Sequence, residues 1–159
     1  VHSAPYRGVT MALPEPIGVL SQIAPEETPL LSTISLIAPA IAMGNRVVLV
    51  PSERFASVAL ELVQVFETSD VPSGVINIVS GNKRELAEQL AGHAEVDAMW
   101  CWANQETVAS IETISATDLK RLWVHHDGDR DWLDPEQGES SEFLRNATEV
   151  KNIWTPYGD

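Results

Sequence analysis

The stretch GVLSQIAPEETPLLSTISLIAPAIAMGNRVVLVPSE, residues 18–53, decides the fold. A strand-like apolar run, Ile17 to Ile23, stops at Ala24, and two adjacent glutamates, Glu26 and Glu27, sit between Pro25 and Pro29. Thr28 can cap a helix with Pro29 at its first position, where proline's missing N–H costs nothing. That helix ends at Gly44. Arg46 to Val50 is nearly all apolar and β-branched, the pattern of a strand buried on both faces. Pro51 breaks it, and Ser52 caps a further helix from Arg54 to about Thr68.

The alternation continues outward. VPSGVINIVSG, residues 71–81, gives a turn and a strand at Val75 to Val79. Lys83 to Ala91 is a helix, Val96 to Trp102 a strand, Asn104 to Ala116 a helix and Leu119 to His125 a strand. Strands alternating with helices of this length imply right-handed βαβ units and a parallel sheet, hence an α/β, Rossmann-like fold. Upstream, Tyr6 to Leu13 is a short extended segment. Downstream, HHDGDRDWLDPEQGES (residues 125–140) is acidic, with Gly and Pro, and reads as a linker. Glu142 to Glu149 is a short helix, and VKNIWTPYGD (150–159) a terminal strand with a polar end.

Composition excludes several function classes. The chain has 159 residues, which favours one domain, and 44% hydrophobic residues, enough for a sizeable core. Its 23 acids against 10 bases give a net charge of -13. Nucleic acid and anionic membrane both need a basic surface, so neither is an expected partner. Leu30 to Met43 is the longest apolar stretch, too short for a membrane span and interrupted by Ser and Thr. No signal peptide is visible. The single Cys101 precludes an internal disulfide and fits a reducing compartment, so a cytoplasmic location is expected. Asn146-Ala147-Thr148 matches the glycosylation acceptor pattern but lacks a secretory signal. A start at Val1 rather than methionine suggests a fragment or a processed product.

Individual residues allow sharp and plain readings. Glu26 and Glu27 precede an apolar helix, whose dipole each acid complements by about 0.3–1 kcal/mol; an acid/base role for the pair is the alternative. His125, His126, Asp127 and Asp129 are metal-ligand types. Neighbours on a strand point to opposite faces, however, so a solvated charged loop is the simpler reading. Cys101, between Trp100 and Trp102, reads as a buried strand residue, because a reactive thiolate needs a nearby base or helix N-terminus. Trp100, Trp102 and Trp123 could stack a nucleotide base, but their strand positions favour core packing. Trp132, in a polar stretch, either anchors an interface or packs back on the sheet.

The order of these pieces resembles the cofactor-binding half of an aldehyde dehydrogenase. EPIGVLSQIAP, TPLL and IAPAIAMGNRVVLVPSE look like the segment from the strand entering the active site to the Lys-Pro-Ser-Glu cofactor loop. VPSGVINIVSG is similar to the family's Pro-x-Gly-Val-x-Asn-x-Val-x-Gly turn. HAEVDAMWCWANQETV sits where the family has Phe-Thr-Gly-Ser, and SATDLKRLWV resembles the strand before Glu-Leu-Gly-Gly-Lys. Including the closing WTPYGD, the best match is the C-terminal, degenerate region of the family-16 aldehyde dehydrogenases.

The resemblance implies residues 1–14 as an oligomerisation-type strand and 15–126 as a degenerate cofactor domain. Residues 127–141 become an acidic linker, and 142–159 a short helix with an oligomerisation-type strand. It also implies that the functional positions have changed. The oxyanion-stabilising Asn falls on Glu27, where a carboxylate would repel a developing oxyanion. The ribose-binding lysine falls on Val50, while Pro51, Ser52 and Glu53 match. The glycine of close cofactor approach falls on Ala103, the pyrophosphate serine on Asn104, the second glycine on Val108 and the general-base Glu on His125. The nucleophilic cysteine has no counterpart. The implied function is a non-catalytic assembly or interaction module, binding a second copy or the catalytic aldehyde dehydrogenase region of its parent through Ile153, Trp154 and Trp132. No cofactor is then expected. The alternative is a piece of an NAD(P)-dependent aldehyde-oxidising enzyme, holding NAD through Glu53 and the Ala103 turn.

Overall fold

The computed structural model describes residues 8–156. In chain order the elements are β1 (Gly8–Pro16), β2 (Val19–Ile23), α1 (Pro29–Ala42), β3 (Arg46–Val50), α2 (Ala56–Thr68), β4 (Ile76–Ile78) and α3 (Lys83–Ala91). There follow β5 (Ala98–Ala103), α4 (Gln105–Ser115), β6 (Arg121–His126), α5 (Pro135–Gly138), α6 (Glu142–Asn146) and β7 (Thr148–Pro156). Tyr6 and the closing 157–159 lie outside the described residues. Among those described, no helix is long and apolar enough to cross a membrane.

Strands β2 to β6 form one parallel sheet in the order β4-β3-β2-β5-β6. This is the expected α/β, Rossmann-like class. Alternation along each strand sorts side chains between two faces. Leu20, Leu49, Ala98, Trp100 and Trp102 point to one face, packed with Leu36, Ile37 and Ala40 of α1 and Ala59 of α2. Ile23, Val50, Met99, Cys101 and Ala103 point to the other, against Ala87 and Ala91 of α3 and Val108 and Ile111 of α4. Every residue of β5 is buried.

Asn45 ties the start of the sheet together. Its Oδ1 accepts from the N–H groups of Ile17 (2.8 Å) and Gly18 (3.1 Å). Its Nδ2 donates to the carbonyls of Ala40 (2.9 Å) and Ala147 (2.8 Å). One buried amide thus joins β2, the end of α1 and the α6–β7 junction. Gly44, at φ 90, supplies the left-handed turn that brings Asn45 there.

Two local expectations change. Thr28 stands at the N-cap of α1 but with φ 44 and no side-chain cap bond. Its carbonyl instead accepts from the Ser32 hydroxyl at 3.0 Å. The last sheet strand starts at Arg121 rather than Leu119, because Leu119 is left-handed and exposed. Its neighbour Lys120 turns inward, donating from Nζ to the carbonyls of His93 (2.9 Å) and Val96 (2.6 Å) and to Asp118 (2.9 Å).

The acidic stretch 127–141, expected as a linker, contains α5 and lies against the first face of the sheet. Trp132, only 4% exposed, is buried there with Phe143 and Ala147. The interface role expected for Trp132 is therefore corrected: it is a core residue of its own chain. The reason is geometric. Trp100, Trp102 and Trp123 share one face of β5 and β6, and Trp132 and Phe143 pack on them there beside α1.

The terminal strand stays out of the parallel sheet. β7 pairs antiparallel with β1, from Gly8↔Pro156 to Pro16↔Thr148. Ile153 is half-buried and Trp154 is 52% exposed, on opposite faces of this ribbon. Replacing Trp132 with Ala should lower stability by about 3–5 kcal/mol, the usual cost of deleting a buried aromatic. Urea unfolding measures this. An unchanged midpoint would return Trp132 to the surface.

Candidate functional site

In an open parallel sheet, ligands bind beyond the carboxyl ends of the strands, where the strand order reverses. Here that point lies between β2, whose helix α1 leads to β3, and β5 on its other side. A groove of about 330 Å³ opens there, lined by Glu26, Glu53, Lys83, Ala103, Asn104 and Asp127 among others.

Glu26 organises this groove. Its Oε2 accepts from the Ser52 hydroxyl (2.7 Å) and the Arg54 N–H (3.2 Å). Its Oε1 accepts from the Glu53 N–H (3.1 Å) and from Lys83 Nζ (3.4 Å). Ser52 in turn accepts from the Phe55 N–H at 3.2 Å, and Glu53 from the Lys83 N–H at 3.0 Å. Burial raises the Glu26 carboxyl, but the Ser52 hydroxyl, the two N–H groups and the Lys83 charge together hold it below its ordinary 4.5. The expectation that Glu26 and Glu27 serve the dipole of α1 is corrected in part. The first turn of α1 has no acid, and Glu26 reaches across to the β3–α2 loop instead. Glu27 is exposed, and its carbonyl accepts from Ser32 at 3.5 Å.

Both helix N-termini at the groove are capped by their own chain. Asn82 accepts from the Glu85 N–H (3.0 Å) and Asn104 from the Thr107 N–H (2.9 Å). Side chains also lace α3 to α4. Arg84 pairs with Glu88 at 3.0 Å and with Glu106 of α4, and Ser110 of α4 donates to Glu88 at 2.8 Å. Val50 is wholly within the core on the α3/α4 face, and Ala103 is nearly so.

The opposite face at this end of the sheet is aromatic. Trp102 stacks on His125, with centroids 5.1 Å apart and planes 13° from parallel. Trp132 meets Trp102 edge-on at 5.3 Å, and Trp123 meets both Trp100 and Trp102 edge-on, at 5.0 and 5.2 Å. The Arg130 guanidinium lies 4.8 Å from the Phe143 centroid and 5.5–5.9 Å from those of Trp123, Trp102 and Trp132. It is held by Glu142 at 2.7 Å and the Gln137 carbonyl at 2.7 Å. His125 Nε2 and Trp102 Nε1 are buried without a hydrogen-bond partner. Burial, reinforced by the Arg130 charge, holds His125 below its ordinary 6.5, so the ring is neutral near neutral pH. Asp129 caps the turn after β6, accepting from the His126 N–H at 2.8 Å. His125 therefore faces the aromatic cluster, while Asp129 is engaged with the backbone.

A model of the aldehyde dehydrogenase family matches residues 2–133. The chain belongs to the aldehyde dehydrogenase family. It is 32% identical over 121 residues to the NADP/NAD-dependent aldehyde dehydrogenase PuuC of Escherichia coli, covering 76% of this chain and 24% of that protein. It is 37% identical over 107 residues to human 2-aminomuconic semialdehyde dehydrogenase, covering 67% and 22%. Among solved structures, the betaine aldehyde dehydrogenase of Staphylococcus aureus in complex with NAD+ superposes with a TM-score of 0.75 at 29% identity. That match covers 82% of this chain and 26% of the other. The chain thus spans about a quarter of the length of these relatives.

The expected site positions fall in four places. Glu53, Ala103 and Asn104 line the groove, and Ser52 is buried behind it, donating to Glu26. His125 lies in the aromatic cluster, Val50 in the core, and Ile153 and Trp154 on the ribbon. Sequence reading missed Lys83 and Arg130. A lone arginine amid the aspartates of DGDRDWLD, next to a tryptophan, was an available signal. For Lys83, at a helix start like any exposed residue, there was none.

Two outcomes follow from these environments. Burial pushes the Cys101 thiol up to about 12. It should therefore resist alkylation at neutral pH and react fully once urea unfolds the chain; rapid modification of the folded chain would contradict its burial. For Glu26, whose carboxyl is depressed by folding, the stabilisation is present above 4.5 and is lost as pH falls through the folded value. The stability gap between the wild type and Glu26→Gln should be constant above pH 4.5 and narrow below it. Urea titrations across acid pH test this, and a gap that widens on acidification would reverse the assignment.

Proposed function

We propose that this chain is a non-catalytic aldehyde-dehydrogenase-like domain that acts in assembly or stabilisation. Its partner is a second copy or a catalytic aldehyde dehydrogenase region, as in the degenerate C-terminal region of family-16 enzymes. The observation that carries this is the stack of Trp102 on His125. By resemblance, His125 stands at the family's general-base position and Trp102 just before the turn of closest cofactor approach. A neutral imidazole pressed against an indole, with its Nε2 out of reach of water, is a packing element rather than a base.

The residues present do not fit a dinucleotide well. Val50 offers no donor to a ribose hydroxyl and is buried. The N–H groups of residues 53 and 54 already serve Glu26, and Glu53 already serves the start of α3. Glu26, Glu53 and Asp127 share the groove with Arg54, Lys83 and Arg84, but Lys83 is already paired with Glu26 and Arg84 with Glu88 and Glu106, which leaves little uncommitted positive charge for a pyrophosphate. The Arg84–Glu106 and Ser110–Glu88 links close the α3–α4 interface beside it.

A second reading keeps the chain as the cofactor-domain piece of an NAD(P)-dependent aldehyde oxidation system. Membership of the family and the groove at the switch point favour it. Two measurements separate the readings. With NAD and an aliphatic aldehyde the chain should form no NADH above a buffer control. Calorimetry with NAD should give a dissociation constant above about 1 mM, or less than about 4 kcal/mol of binding free energy. Turnover, or micromolar binding, would favour the second reading.

A further inference from the structure

The chain after β6 is bonded to itself rather than to the sheet it covers. Residues 130–146 carry α5 and α6, and their polar contacts close within the segment. Arg130 donates to the Gln137 carbonyl and to Glu142, both at 2.7 Å. The Asp131 N–H donates to Gln137 Oε1 (3.1 Å), and Gln137 Nε2 to Asp134 (2.8 Å). Among the described residues, no hydrogen bond or ion pair joins 130–146 to any residue outside 130–148. Ring packing alone seats the segment: Trp132 on Trp102, Phe143 on Trp100, Trp102 and Trp123, and the Arg130 guanidinium over Trp102 and Trp123.

The segment also has a hinge and an unfilled seam. Before it, Gly128 has φ 85, with nothing within 4 Å of the place a Cβ would take. After it, the carbonyls of Ala147 and Thr148 are pinned by Asn45 and Arg121. Between α1 and α5–α6 runs an apolar groove of about 360 Å³, lined by Leu31, Ile34, Ala38, Phe143 and Leu144 among others. Beneath the segment, His125 Nε2 and Trp102 Nε1 are buried without partners, a cost that water would relieve if the segment moved.

We propose that residues 130–146 form a strap that is closed while His125 is neutral and lifts from the aromatic face when His125 takes a proton. The device is independent of the functional reading above, because no residue lining the switch-point groove takes part in it. The charged groups facing His125 are Arg130 and Glu142 of the strap, Asp129 of the turn and His126 beside it on β6. The rings against it, Trp102 and Trp123, carry no charge. Burial is the largest effect and opposes a proton on His125, as do Arg130 and His126; Glu142 and Asp129 favour it. Both acids are already engaged, Glu142 with Arg130 and Asp129 with the His126 N–H. The Trp102 face would attract an imidazolium, but Arg130 already lies over that ring. Lifting removes Arg130 and returns water to Nε2, so the lifted form takes the proton more readily. Closure holds His125 below 6.5, so lifting gains as pH falls below 6.5, by up to about tenfold per pH unit for one proton. It uncovers Trp100, Trp102 and Trp123 beside the already exposed Leu31 and Ile34 of α1. The chain would present this apolar surface only in acid.

Hydrogen exchange of the full chain between about pH 7.5 and 5, corrected for the intrinsic pH dependence of exchange, tests this. Peptides within 130–146 should lose protection on acidification while β2, β3 and β5 keep theirs. His125→Phe keeps a ring on Trp102 but cannot titrate, and its strap should stay protected throughout. His126→Gln, at an exposed neighbour, should behave as the wild type does. Strap protection that is unchanged at the acid end, that is lost together with the core strands, or that is still lost in His125→Phe overturns the proposal. Should His125→Phe fail to fold, proton NMR of the wild type decides. The His125 imidazole and the strap amides should then change with one midpoint, and an imidazole that titrates while those amides stay unmoved overturns the proposal.

Discussion

A central parallel strand must be dry on both faces, and β5 imposes that requirement on everything around it. All of AMWCWA is buried. On the side of Met99, Cys101 and Ala103, helices α3 and α4 supply the cover with small and branched residues. On the other side Trp100 and Trp102 stand too tall for α1 alone. The cover comes from the chain after β6, through Trp132, Phe143 and the flat face of Arg130. Arginine suits this place because its weakly hydrated plane can stack on rings while its edge keeps Glu142 and the Gln137 carbonyl. A lysine could not do both.

That cover also sets the character of the carboxyl end of the sheet. The segment that closes over Trp102 presses His125 into the same stack, and Trp102 Nε1 and His125 Nε2 lose contact with solvent. Leaving such atoms unpaired costs about 1–3 kcal/mol each, which aromatic burial has to offset. On the groove side, Glu26 gathers Ser52, Lys83 and two backbone N–H groups that would otherwise be open to an anion. Packing thus fills the aromatic side of this end of the sheet, while on the other side internal hydrogen bonds engage the lining of the groove. In the proposed reading, this is what remains when such a site is no longer held open for chemistry.

Much of the fold was legible because its signals are local. Pro29, Gly44 and the β-branched run of β3 punctuate the chain where the structure does. The strand–helix alternation led directly to a parallel sheet. The errors share one cause. Glu26 was assigned to the helix beside it in sequence, but its partners are 26 to 57 residues away. Trp132 was assigned by the polarity of its neighbours, which face solvent while it faces the sheet. Leu119 continued an apolar pattern, yet the pull of the Lys120 ammonium on three oxygens outweighed it. Local composition describes a segment, not the surface that needs it.

The groove and the ribbon lie at opposite ends of the sheet. Glu26, Ala103 and Asn104 mark the carboxyl ends of the strands. The ribbon joins at the amino ends, where Asn45 binds Ile17, Gly18 and Ala147. There Arg121, the first residue of β6, binds Thr148, and Asp97 accepts from the Val19 N–H at 2.7 Å. These bonds fix the direction in which the ribbon leaves the core without drawing on any residue of the groove. Partners engaging the ribbon would therefore load the amino end of the sheet and leave the carboxyl end as it is. Retaining this fold does not require its groove to work, because the residues that hold the ribbon in place are those that hold the sheet together.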